Sequence, residues 1–184
     1  MTLSVRTKIV MSLVALLGLV AYLIVVDLGV SAGRIHHGVR IADNAGLDLG
    51  GLTREEATAL LEERELELAR APVFFTREGF ECEFLPTELV WDARPFETAV
   101  AAFRIGRGES PLRALGARVR AWVGGVKVDW ADDLDSSAVT RFIDDCEVQA
   151  TAFGYDLRRY RLRKKIARAV TTWPRRPFNI PIRG

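Results

Sequence analysis

The sequence predicts an α+β fold: an N-terminal transmembrane helix followed by a small mixed helix/strand domain. Three observations lead there. A single uninterrupted apolar stretch, IVMSLVALLGLVAYLIVV over Ile9–Val26, has no equal elsewhere in the chain. Of the 184 residues, 49% are apolar, enough to build a core in the remainder of the chain. Segments of strand period and helix period then interleave irregularly, which argues against a doubly wound sheet.

Taken in order, residues 1–8 carry Arg6 and Lys8 just before the apolar stretch, and Asp27 follows it. A stretch of this length suits a membrane-crossing helix. The positive-inside rule then makes 1–8 a cytoplasmic N-terminus, 9–28 an anchor in the cytoplasmic membrane, and the rest a single-pass protein's extracytoplasmic part. Val30-Ser31-Ala32 offers an alternative, cleavage of a signal peptide, but the apolar stretch exceeds the usual length of about 7–15 residues. Residues 29–37 form a connector. His36 and His37 within it read as solvated, since adjacent side chains diverge and no third metal ligand is near.

The domain proper spans 38–150. Gly38-Val39-Arg40-Ile41 alternates as a short strand. After turn-rich Asp43-Asn44-Ala45-Gly46, the run Thr53-Arg54-Glu55-Glu56 matches a capping box. The helix that it opens carries Ala57, Leu60, Leu61 and Leu68 on one side and glutamates outward, and ends at Pro72. Val73–Thr76 and Phe80–Phe84 flank Glu78-Gly79 as a hairpin, with Phe80, Cys82 and Phe84 facing the core. Thr87-Glu88-Leu89 reads as one turn before a strand, Val90-Trp91-Asp92. Pro95 starts a helix with Phe96, Val100 and Phe103 as its stripe. Ser110-Pro111 starts another, with Leu112, Leu115, Val119 and Trp122 inward. Gly124-Gly125 breaks it, Val126–Trp130 returns as a strand, and Ser136 or Ser137 caps a helix to about Cys146. The remainder, 151–184, reads as a basic helix plus edge strand, an abbreviated second repeat of the unit. Asp156 would cap that helix, Leu162, Ile166, Ala169 and Val170 would share its apolar face, and Phe178–Ile182 would be the strand, where Pro181 is tolerated.

Charge divides unevenly. The net value is only +2, yet ten of the 26 basic residues crowd into Arg158–Arg183, and no acid follows Asp156. Arg158, Arg159, Arg161, Lys164, Lys165 and Arg168 are therefore the candidate polyanion-binding residues. No catalytic set is expected. Both histidines precede the domain, Asp132-Asp133 and Asp144-Asp145 read as acids at element ends, and the glycine pairs lack phosphate-loop spacing. Cys82 and Cys146 fit no metal or Cys-x-x-Cys spacing, so no metal or other cofactor is expected. Two small buried hydrophobes is the preferred reading of them, with pairing left open.

Gly38–Ile41, the run from Leu49-Gly50-Gly51-Leu52 through Thr53 to Ala57, the Leu85-Pro86-Thr87-Glu88-Leu89 turn and Ala99–Gly108 followed by Ser110-Pro111-Leu112 occur in an order that resembles a known domain. It is the peptidoglycan-binding domain found before VanW domains and in some L,D-transpeptidases. The resemblance covers roughly 35–146. Against that pattern, Asp43-Asn44-Ala45 is an insertion, Val90 stands where glycine is expected, and neither a VanW nor a transpeptidase domain follows. The resemblance implies a noncatalytic module that binds peptidoglycan or another wall polymer. Membrane lipid is expected as a second partner from the apolar stretch and the basic residues, and export of the domain argues against nucleic acid. The competing expectation is a membrane-tethered scaffold that docks an envelope enzyme.

Overall fold

A computed structural model of the chain describes residues 5–30, 32–108 and 110–183, and two compact units divide it, Met1–Arg34 and Ile35–Gly184. In the first unit, α1 spans Val5–Val30. Its apolar side chains from Ile9 to Tyr22 are exposed within the chain. Among the described residues, no helix is long and apolar enough to cross a membrane. The expected transmembrane anchor over 9–28 is corrected on this ground. With it go the single-pass arrangement, the cytoplasmic assignment of 1–8 and the extracytoplasmic assignment of the remainder. The side chains of Lys8 and Asp27, and Ser31 of the alternative cleavage site, lie outside the described residues.

The second unit is α+β, as expected. Its strands are β1 (Val39–Ile41), β2 (Val73–Arg77), β3 (Phe80–Phe84), β4 (Asp92–Ala93), β5 (Val126–Val128), β6 (Asp132–Asp133) and β7 (Phe178–Asn179). Its helices are α2 (Arg54–Arg70), α3 (Pro95–Arg104), α4 (Pro111–Gly124), α5 (Ser136–Ala152) and α6 (Arg159–Val170). They form three small sheets: β1 beside β5 in parallel, β3-β2-β7, and β4 beside β6 antiparallel.

Thr53 starts α2 through the expected capping box: the Glu56 amide donates to Thr53 Oγ1 and the Thr53 amide to Glu56 Oε2. Ala57, Leu61 and Leu68 are buried along one side, with Leu60 half-buried. The hairpin forms in the expected register, Phe75 opposite Cys82 and Arg77 opposite Phe80. Phe80, Cys82 and Phe84 face inward, against α5 and α6. Contrary to the preferred reading, Cys82 and Cys146 are joined as a disulfide that ties β3 to α5.

Several expected details give way to packing. Asp135, rather than Ser136 or Ser137, caps α5 by accepting from the Ala138 amide, and the helix continues to Ala152. On α3 the buried residues are Thr98, Ala99 and Ala102, whereas Phe96 is exposed beneath the Arg54 guanidinium. The small residues let α3 pack closely on α2, where a phenylalanine stripe would hold the two helices apart. On α4, Val119 and Trp122 face outward and Leu115 is only half-buried; the side chain of Leu112 lies outside the described residues. His36 is buried rather than solvated, and its ring lies so close to Gly106 that a Cβ there would stand 2.8 Å from His36 Cδ2. The Asp43-Asn44-Ala45 stretch folds back on the unit, Asp43 Oδ1 accepting from the Gly46 amide and the Ala45 amide donating to the Trp173 carbonyl.

Residues 151–184 belong to the same core. Leu162, Ile166, Ala169 and Val170 of α6 are buried against the hairpin and α5, as expected. β7 pairs in parallel with β2 and forms an edge of that sheet. Asp156 does not cap α6. Its carboxylate meets Arg183, and no side chain caps the helix at Arg158.

Candidate polyanion-binding site

The start of α6 is built by an antiparallel bridge between Leu157 and Ile182. The Arg158 amide donates to the Pro181 carbonyl and the Arg183 amide to the Asp156 carbonyl, both at 2.8 Å. Leu157 is fully buried and fixes the bridge in the core. This closure brings the C-terminal Arg183 beside the first turn of α6. The result is an open cleft of about 660 Å³ lined by Arg158, Arg159, Tyr160, Arg161 and Arg183.

The expected basic residues separate into two groups. Arg159 is committed to α5, with its guanidinium donating to Asp144 and Glu147. The hydrogen bond to Asp144, then that to Glu147, raises the pKa of Arg159 above its ordinary value. Lys165 is committed too, donating to the Asn179 carbonyl at 2.6 Å and tying α6 to β7. Arg158 is half-buried, whereas Arg161, Lys164 and Arg168 are exposed. Lys164 lies 4.7 Å from the ring centroid of Tyr160, itself a prominent exposed aromatic. Arg183 is the cleft residue that sequence spacing did not indicate, because only the Leu157–Ile182 bridge brings it there.

The first turn of α6 contains no acid. A helix start favours anions through its free amides and dipole, and arginine side chains add the fork that matches carboxylate or phosphate oxygens. Arg158, Arg161 and Arg183 therefore form a surface suited to an oxyanion, and Tyr160 offers a face for an apolar or sugar-ring contact. Asp156, at 3.4 Å from Arg183, is the local counter-charge an entering anion would displace.

The acidic pairs are dispersed by comparison. Asp132 accepts from Trp91 Nε1 at 2.9 Å, and burial raises its pKa, with the neighbouring Asp133 and Asp129 adding to the effect. Asp133 faces Arg94, and Asp144 faces Arg159. Among the described residues no group of three or more His, Cys, Asp or Glu side chains could hold a metal ion. A second cleft, of about 510 Å³, lies at the hairpin end between Thr76–Glu81 and Asn179, where Arg77 is offset by Glu78 and Glu81.

No protein-family model, curated protein or solved structure matches this chain.

Proposed function

We propose that the Ile35–Gly184 unit is a noncatalytic module that binds peptidoglycan through the arginine cleft at the start of α6. The observation that carries this reading is the convergence of Arg158, Arg161 and Arg183 on one open surface beside Tyr160. Peptidoglycan presents peptide-stem carboxylates along sugar chains, and arginine forks beside an aromatic ring suit both parts. The ordered resemblance of residues 35–146 to a peptidoglycan-binding domain supports the same ligand class.

Co-sedimentation of the full chain with purified peptidoglycan tests the proposal. The chain should pellet at low salt. Replacing Arg158, Arg161 and Arg183 together by serine should weaken pelleting on the order of tenfold or more, as expected for three charges at an anionic surface. Replacing Arg70, Arg104 and Arg176, three exposed residues, by serine controls for net charge away from the cleft. Equal pelleting by all three proteins would overturn the assignment to the cleft, and no pelleting by the parent chain would overturn the ligand.

A further inference from the structure

α4 is docked with its larger side chains turned away from the core. At about 100° per residue, Leu115, Val119, Trp122 and Val123 share one side of the helix, and Ala114, Ala117 and Ala121 share the other. The alanine side is the one that packs. Ala121 is buried, and its carbonyl oxygen lies 2.1 Å from where a Cβ on Gly38 would stand, so only glycine permits the approach. Arg118 Nε donates to the Gly106 carbonyl at 3.0 Å and fixes the same face. On the outward side Val119 is 51% exposed, Trp122 48% and Val123 86%. Isolated exposed apolar residues are ordinary on protein surfaces, but these form a contiguous stripe.

The flanks of the stripe differ. Arg113 and Arg120 are seven residues apart, lie along the same flank, and are both exposed. Arg118, on the other flank, is held by Gly106. The helix contains no acidic residue.

We propose that this face docks a partner protein whose apolar groove carries carboxylates on one wall. Leu115, Val119 and Trp122 have the i, i+4, i+7 spacing by which a helix anchors in a groove. Arg113 and Arg120 supply paired guanidinium forks for the acidic wall. A second copy docked α4 against α4 is a poorer occupant, because that helix offers the arginines no acid in return. A flat lipid surface would touch the crest at Val123 but would not reach the half-covered Trp122 and Leu115, and it would not select for arginines on one flank. The inference stands independently of peptidoglycan binding, since none of its residues lines the α6 cleft.

The test is site-specific photocrosslinking of the full chain in the cells that make it, with benzoylphenylalanine in place of Val123. The expected product is one discrete adduct with a different protein, crosslinked within a segment that combines apolar residues with Asp or Glu. In the same chain carrying Arg113→Glu and Arg120→Glu, both exposed positions, the yield should fall roughly tenfold at unchanged thermal stability. A probe at Arg176 should not produce this adduct. An adduct of twice the chain mass, a lipid adduct, an adduct indifferent to the charge reversal, or no adduct would each overturn the proposal.

Discussion

α4 and α6 are both arginine-rich amphipathic helices, and they sit in the fold in opposite orientations. α6 buries Leu162 and Ile166 and displays its cations, whereas α4 buries Ala121 and displays Val119, Trp122 and Val123. The difference lies in what each helix meets. α6 meets side chains of the β2–β3 hairpin and α5, where leucine and isoleucine fill space among Phe75, Phe84 and Val139. α4 meets backbone at Gly38, which the Ala121 carbonyl approaches closely, and at Gly106, whose carbonyl accepts from Arg118, so an alanine and an arginine take the inner face. A stripe of large apolar residues therefore marks a face that seeks cover. The fold itself covers it only where the opposing surface leaves room.

The largest expected effect sharpens that contrast. Ile166→Ala on α6 should destabilise the unit by about 2–5 kcal/mol, the cost of a cavity in a packed core. Val123→Ser on α4 should change stability by no more than about 0.5 kcal/mol, as at an exposed site without fixed partners. Denaturant unfolding of the two variants measures both, and similar losses would erase the distinction between the helices.

A smaller effect is expected at Val90, which closes the single 3-10 turn Pro86–Leu89 at φ 50° and ψ 45°. This left-handed geometry is costly for a β-branched residue and free of that cost for glycine. Val90 is 61% exposed, so little packing would be lost. Val90→Gly should thus stabilise by about 1 kcal/mol at equilibrium unfolding. A loss of similar size would mean that the valine side chain contributes more than its exposure suggests.

The smallest effect is one of pH. Burial raises the pKa of Asp132 in the folded state above its ordinary value of 3.8. The folded state then binds the proton more tightly than the unfolded state, so this group's stabilising contribution is complete below about pH 3.8 and is lost as pH rises through the folded value. Asp132→Asn retains an acceptor for Trp91 Nε1 and removes the buried charge. Its melting temperature should exceed the parent's at pH 7, and the difference should shrink towards pH 3.8. A variant less stable than the parent at pH 7 would show that the charge itself supports the Trp91 contact.

Much of the second unit was legible locally. Thr53 and Glu56 announced the start of α2, the alternation Phe80-Glu81-Cys82-Glu83-Phe84 announced its inward face, and Leu162–Val170 announced the seat of α6. What escaped depends on distant backbone. The outward turn of α4 follows from Gly38 and Gly106, neither within that helix, and Phe96 gives way to Ala99 because α2 approaches closely. Arg183 reaches the cleft only through the bridge to Leu157. The apolar stretch at the N-terminus was the strongest single signal in the chain, yet among the described residues no helix is long and apolar enough to cross a membrane.

The most direct measurement compares the two helices in one binding assay. The full chain, its Arg158→Ser/Arg161→Ser/Arg183→Ser variant and its Val119→Ser/Val123→Ser variant would be sedimented with purified peptidoglycan over a salt series. The expected result is that the α6 variant loses binding on the order of tenfold or more while the α4 variant pellets like the parent. Loss of pelleting in the α4 variant, with the α6 variant unaffected, would contradict the assignment of the ligand to the arginine cleft.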